Sequence, residues 1–133
     1  MKKVMVIDDD KEFLLSIKSV LESSEITVIT VQDPRESLRY LFHEVPHIVV
    51  SDINMPGIDG TMLVELGSYV LKDIFYIYIS ANSLEEIKEK YPHFNHEINF
   101  FQKPLDDVFL DKINKLLAEN NQPMVIPPPK TNL

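Results

Sequence analysis

Short apolar runs alternate with amphipathic helical patterns along most of this chain, and this alternation limits the folds that it can adopt. The first run, Val4 to Ile7, lacks polar alternation, as expected of a strand that is covered on both faces. Apolar residues then recur every three or four positions from about Asp10 to Ser23, which predicts a helix. Because five such strand–helix units follow one another, the sequence predicts an α/β fold with a doubly wound parallel sheet.

The later strands and helices are separated by proline, glycine and polar residues. Strands are predicted at Ile26 to Val31, His47 to Ser51, Ile74 to Ile79 and Ile98 to Phe101. Helices are predicted from Asp33, Thr61, Leu84 and Leu105, with Asp33 as a cap and Glu36 completing a capping box. The apolar stripes expected to face the sheet are Phe13, Leu14, Ile17, Val20 and Leu21 in the first helix, Leu38, Leu41 and Phe42 in the second, and Val108, Phe109, Ile113, Leu116 and Leu117 in the fifth.

Length and composition favour one globular domain. The chain has 133 residues, of which 44% are hydrophobic, enough for one ordinary core and too few for two. Its formal net charge of −8 argues against direct binding to nucleic acid or to an anionic membrane. No run approaches the ~20 apolar residues of a membrane span, and the N-terminus lacks the pattern of a signal peptide, so a cytoplasmic location is expected. The absence of cysteine excludes disulfides and thiolate metal sites.

The C-terminal segment differs in composition from the rest of the chain. From Asn120 onward it is polar and rich in proline, and it contains the run Pro127-Pro128-Pro129. Such a segment lacks the apolar surface needed to form a packed core. We therefore assign residues 1–120 to the domain and 121–133 to a proline-rich tail or linker.

Acidic residues stand where two of the predicted strands end. Asp8, Asp9 and Asp10 follow the first strand, and Asp52 follows the third. In the flavodoxin-like strand order 2-1-3-4-5, ligands bind at the switch point between these two strands. Carboxylates at the mouth of a buried sheet repel one another unless a hard cation lies among them. The pattern therefore predicts a divalent-metal site with Asp52 as a candidate nucleophile, whereas Asp10 is interpreted mainly as a helix cap.

Three further motifs stand at strand ends and complete a recognisable signature. Ser80-Ala81 follows the fourth strand, Lys103-Pro104 follows the fifth, and Met55-Pro56-Gly57-Ile58-Asp59-Gly60 comes shortly after Asp52. Over roughly residues 2 to 119 the chain resembles a receiver domain of two-component signalling, the family of the bacterial chemotaxis response regulator. The resemblance implies a flavodoxin-like sheet of five strands with five helices. It also implies a phosphoacceptor for a sensor histidine kinase or phosphotransfer protein, and not an enzyme acting on a separate substrate.

The resemblance assigns a role to each residue of the predicted site. Asp52 would be the phosphorylation site, and Lys103 would pair with a phosphoryl oxygen, or with Asp52 before phosphorylation. Mg²⁺ would bind the carboxylates of Asp9 and Asp52 and the backbone carbonyl of Asn54, with Asp8 reached directly or through water. The Lys103-Pro104 bond is a candidate cis peptide, as in the family.

The family's conformational switch maps onto two residues. Ser80 would turn its hydroxyl toward the phosphoryl group, and Phe100, three positions before the lysine, would fill the space it leaves. The face formed by the fourth helix, fifth strand and fifth helix would then change shape. Since phenylalanine lacks the phenolic hydroxyl of the tyrosine that is also common there, packing alone would hold its inward state.

Other functions are weighed against this interpretation. A haloacid-dehalogenase-like phosphatase would need Asp-x-Asp-x-Thr/Val after the first strand and would be phosphorylated on Asp8, but Glu12 occupies the last position of that motif. A dinucleotide-binding module would need Gly-x-Gly-x-x-Gly at the same place. A degenerate receiver that signals without phosphorylation stays open. The expected targets are a downstream protein or an output domain beyond residue 133, and a phosphorylation-dependent dimer is compatible with the resemblance.

Overall fold

The fold of the chain is built on one parallel sheet. The computed structural model describes residues 1–55, 58–59, 71, 73–92 and 99–119. The sheet strands are β1 (Lys2–Ile7), β2 (Ile26–Val31), β3 (Ile48–Asp52), β4 (Phe75–Ser80) and β5 (Asn99–Gln102). Their order is β2-β1-β3-β4-β5 with every pair parallel, so the predicted flavodoxin-like order is confirmed and the switch point lies between β1 and β3. Asn54–Met55 and Ile58–Asp59 add a short antiparallel ladder after β3.

Four α-helices lie within the described residues. They are α1 (Lys11–Leu21), α2 (Ser37–Glu44), α3 (Leu84–Lys90) and α4 (Asp107–Glu119), and a 3₁₀ turn at Pro34–Glu36 precedes α2. The helix predicted from Thr61 and the proline-rich segment 121–133 lie outside the described part of the chain. None of the described helices combines the length and apolar character needed to cross a membrane.

The hydrophobic core lies on both faces of the sheet. Val4 and Val6 of β1 pack with α1 and α4, whereas Met5 and Ile7 pack on the opposite face beside Leu41 of α2. Successive side chains of a strand point to opposite faces, so a segment covered on both faces, such as residues 4–7, is expected to be apolar at successive positions. The absence of polar alternation in β1 is thereby explained.

Three residues that were predicted to face the sheet are exposed. Val20, Phe42 and Val108 have exposed fractions of 58%, 48% and 65%. On α2 the buried positions are Ser37 and Leu41, which are four residues apart and share one face, so the neighbouring Phe42 points about 100° away from it. An apolar stripe that is wider than the helix–sheet contact therefore leaves its outer residues in solvent.

The prediction of a capping box before α2 is also wrong. Asp33 does cap, because its Oδ1 accepts the Arg35 N–H at 3.0 Å, but the element that it caps is the 3₁₀ turn. The Glu36 carboxylate pairs instead with the Arg39 guanidinium at 3.2 Å. The tighter turn places Glu36 at the start of α2, where its side chain makes no capping hydrogen bond.

Candidate functional site

Three aspartates meet at the carboxyl ends of β1 and β3. These strands pair in register with Ile7 beside Ser51, so the residues that follow, Asp8 and Asp52, emerge side by side. Asp8 is fully buried and Asp52 is 6% exposed, whereas Asp9 is exposed. One carboxylate oxygen from each of the three lies within 4.8 Å of the others. The structure therefore gathers the acidic residues that the sequence placed at these strand ends.

The start of α1 fixes the Asp8 carboxylate. Asp8 Oδ1 accepts the backbone N–H of Asp10 at 2.9 Å. Asp10 in turn caps α1, because its Oδ1 accepts the N–H groups of Glu12 at 3.0 Å and Phe13 at 3.2 Å. The interpretation of Asp10 as a helix cap is thus confirmed, and this cap connects the acidic cluster to the helix.

Lys103 brings a positive charge to the cluster. Its Nζ donates to Asp8 Oδ2 at 2.6 Å and lies 3.7 Å from Asp52 Oδ2. The ammonium also lies over the Phe13 ring, 4.3 Å from its centroid. The Lys103–Pro104 peptide is cis, as predicted, and the Lys103 N–H donates to the Ser80 carbonyl at 2.7 Å. The ammonium is therefore shared between two aspartates and is closer to the one that was not predicted as its partner.

One lysine does not neutralise this group of carboxylates. Burial, and next the negative charge of Asp8, raise the pKa of Asp52 from 3.8 to about 6. Burial also raises the pKa of Asp8, although the hydrogen bond from Lys103 opposes that rise. A site with only oxygen donors and surplus negative charge fits a hard divalent cation such as Mg²⁺.

Ser80 lies beside the cluster at the end of β4. It is fully buried, and its Oγ accepts hydrogen bonds from Asn54 Nδ2 at 3.1 Å and from the Asn82 N–H at 3.0 Å. Asn54 stands in the short ladder after β3, and its backbone N–H donates to Asp52 Oδ1 at 3.3 Å. The family resemblance gives a role only to the backbone carbonyl of Asn54. The contact between the Asn54 side chain and Ser80 depends on the pairing of β3 with β4, so a local sequence motif does not predict it.

Phe100 lies on β5, in register with Tyr78 of β4. It is half-buried and packs against a small cluster formed by Ile53, Tyr78 and Ile87. Tyr91, at the C-terminal end of α3, packs against the same cluster. The two aromatic side chains therefore border one apolar unit that joins α3 to β5.

Comparison with known families agrees with this arrangement. A family model for the response regulator receiver domain matches residues 4–114. The match covers every strand of the described sheet from Val4 onward and most of α4.

Curated relatives share sequence with the chain over part of their length. The transcriptional regulatory protein PrrA of Mycobacterium tuberculosis is 36% identical over 81 residues, which are 61% of this chain and 35% of PrrA. The putative two-component response regulator ARR21 of Arabidopsis thaliana is 28% identical over 121 residues, 90% of this chain and 19% of that protein. The chain therefore spans about a third or less of the length of these two relatives.

Solved structures share the fold over nearly their whole length. The CheY-like receiver domain protein of Methanospirillum hungatei has a TM-score of 0.76 and 26% identity, covering 90% of this chain and 95% of its own. The response regulator TrrA of Thermotoga maritima, in complex with Mg²⁺ and BeF, has a TM-score of 0.74 and 25% identity, covering 87% and 99%. With the strand order, the acidic cluster and the family match in agreement, the chain belongs to the response regulator receiver domain family.

Proposed function

We propose that this receiver domain accepts a phosphoryl group on Asp52 from the phosphohistidine of a sensor histidine kinase or phosphotransfer protein. The observation that carries the proposal is the position of Asp52, nearly buried, with its carboxylate within 4.8 Å of Asp8 and Asp9 and 3.7 Å from the Lys103 ammonium. In the transfer, a carboxylate oxygen of Asp52 bonds to phosphorus while the bond between phosphorus and the histidine nitrogen breaks. The domain catalyses only its own phosphorylation and dephosphorylation.

The neighbouring residues would stabilise the charge of the transferred group. Mg²⁺ would be held by Asp9, Asp52 and the Asn54 carbonyl, with Asp8 direct or through water, and would neutralise the phosphoryl oxygens. The complex of TrrA, a related receiver, with Mg²⁺ and BeF supports a Mg²⁺ site in this domain. Lys103 would move its ammonium, now 2.6 Å from Asp8, toward a phosphoryl oxygen.

The output would be a change of surface shape. Ser80 would turn toward the phosphoryl group and Phe100 would occupy the space beside it, altering the face formed by α3, β5 and α4. That face would bind a downstream protein or an output domain beyond residue 133, with residues 121–133 as a proline-rich linker. The domain would act in the cytoplasm, where the donor kinases of two-component systems are phosphorylated.

Intact-protein mass spectrometry tests the proposal. After incubation with phosphoramidate, we expect a single phosphoryl adduct that requires Mg²⁺ and is lost in Asp52→Asn. Asp111→Asn, the same chemical change at an exposed position of α4, is the control and should keep the adduct. An adduct that survives in Asp52→Asn would overturn the proposal, and an adduct mapped to Asp8 by peptide analysis would favour the phosphatase alternative.

A further inference from the structure

The side-chain amide of Asn54 connects the buried Ser80 hydroxyl to the C-terminal end of α3. Asn54 Nδ2 donates to Ser80 Oγ at 3.1 Å. At its other end, Asn54 Oδ1 accepts from Tyr91 Oη at 3.3 Å and from Lys90 Nζ at 3.4 Å. The two hydroxyls could each donate or accept, but the Lys90 ammonium can only donate, so Lys90 favours the orientation that places Oδ1 toward α3.

This amide occupies one of the positions through which Ser80 can accept a hydrogen bond. A serine hydroxyl has two acceptor lone pairs, and here the Asn54 amide and the Asn82 N–H use both. In the proposed function, Ser80 turns its Oγ toward the phosphoryl group, which is a rotation about the Cα–Cβ bond. That rotation breaks the bond from Asn54, so the resting contact competes with the orientation that phosphorylation requires.

Tyr91 brings a phenolic hydroxyl to the apolar cluster that Phe100, which has no hydroxyl, also borders. Both residues pack against the cluster of Ile53, Tyr78 and Ile87. Tyr91 is anchored at the end of α3, where its backbone N–H donates to the Ile87 carbonyl at 2.8 Å. A polar connection therefore runs from the site to the end of α3, alongside the apolar contact of Phe100.

We propose that Tyr91 and Asn54 are positioning residues that hold Ser80 in its resting orientation, and that phosphorylation releases the end of α3 by breaking the Asn54–Ser80 hydrogen bond. This inference rests on the proposed phosphorylation of Asp52. Donation from Tyr91 polarises the amide and strengthens its bond to Ser80, since linked hydrogen bonds reinforce one another. Loss of the phenolic hydroxyl therefore weakens the resting state without touching the site itself.

The rate of phosphorylation by phosphoramidate with Mg²⁺ is the first measurement. Tyr91→Phe deletes the hydroxyl whose bond to Asn54 is made only while the end of α3 is held. We therefore expect it to accelerate adduct formation roughly threefold to tenfold, the range for loss of one hydrogen bond from the resting state. Tyr76→Phe is the matched control, because the Tyr76 hydroxyl donates to the Leu71 carbonyl at 3.2 Å and not to Asn54. The control should phosphorylate at the rate of the unaltered chain.

A double-mutant cycle separates positioning from a general loosening of α3. If Tyr91 acts through the amide, Tyr91→Phe should have no further effect on the rate in an Asn54→Ala background. In nitrogen-15 spectra without phosphodonor, the Asn54 side-chain amide resonance should shift in Tyr91→Phe and stay unchanged in Tyr76→Phe. This second readout reports the resting contact directly.

The possible results distinguish the two proposals. Normal phosphorylation of the unaltered chain with an unchanged rate in Tyr91→Phe would overturn the positioning role and leave the proposed function intact. An equal acceleration in the Asn54→Ala background would overturn it too, since the effect would then bypass the amide. Absence of any adduct in the unaltered chain would overturn the proposed function and this inference with it.

Discussion

The Lys103 ammonium is 2.6 Å from the Asp8 carboxylate and 3.7 Å from that of Asp52. The more deeply buried aspartate thus has the closer positive charge, and Asp52 is the less compensated of the two. This agrees with the higher-than-usual pKa of Asp52, which burial and the charge of Asp8 raise to about 6. The resting site thus leaves the proposed nucleophile as the less compensated of its two buried carboxylates.

Lys103→Met should destabilise the metal-free domain by about 2–4 kcal/mol at about pH 8, because it leaves the buried Asp8 carboxylate without a counter-charge. Urea unfolding measures the loss. In an Asp8→Asn background the same substitution should cost much less, since no buried charge is then left unpaired. Lys115→Met, on the exposed face of α4, is the control and should be near neutral. Equal losses in both backgrounds would contradict the pairing of Lys103 with Asp8.

Asp52→Asn should stabilise the metal-free domain above about pH 6. The folded state holds the Asp52 proton more tightly than the unfolded chain, whose ordinary pKa is 3.8, so stability from this carboxyl is complete below 3.8 and is lost as pH rises through about 6. The gain is at most about 3 kcal/mol, since a tenfold change in an ionisation constant corresponds to about 1.4 kcal/mol. Urea unfolding as a function of pH measures this gain in stability. A gain that does not vary with pH would argue against the ionisation of Asp52 as its cause.

Asp9→Asn should weaken Mg²⁺ binding about tenfold while changing the stability of the metal-free domain by less than about 0.5 kcal/mol. Asp9 is exposed but belongs to the acidic cluster, so its charge matters chiefly when a cation is present. The rise of the unfolding temperature with Mg²⁺ concentration gives the affinity. An unchanged Mg²⁺ dependence would remove Asp9 from the proposed ligands.

His47 should contribute to acid destabilisation far from the site. Burial, then the charges of Lys2 and the N-terminus, lower its pKa below 6.5, and its Nδ1 accepts the Lys3 N–H at 3.0 Å. The unfolded chain therefore binds this proton more readily than the folded one, so stability falls as pH drops below about 6.5. His47→Asn, whose Oδ1 can accept the same N–H without titrating, should flatten the pH dependence of urea unfolding between about pH 7 and about pH 5. His43→Asn, on the exposed side of α2, is the control. If the free energy of unfolding of His47→Asn depends on pH as steeply as that of the unaltered chain, His47 is excluded as the source.

The parts of the site that follow from strand ends were predictable from sequence. Asp8, Asp52, Ser80 and Lys103 each come at the end of a strand or directly after one, and parallel strands bring their carboxyl ends to one edge of the sheet. Their convergence therefore needs only the strand order, which the flavodoxin-like pattern implies.

The contacts of side chains across elements were not predictable in the same way. The Asn54–Tyr91 bond joins residues 37 positions apart and depends on where α3 ends. The exposure of Val20 depends on the width of the contact between α1 and the sheet, which helical spacing does not define. Such features depend on how the elements pack, whereas the sequence pattern specifies mainly each element's type and direction.

The position of β5 at the edge of the described sheet has a consequence for aggregation. An edge strand presents unpaired backbone groups to which another chain can add a strand, and long apolar edges are hazards for that reason. Within the described residues, the edge at the proposed output face is Asn99–Gln102, four residues long, and it ends in a polar side chain. We expect partners to recognise that face through side chains and not by extending the sheet, so that the surface proposed to change shape does not also act as a template for fibrils.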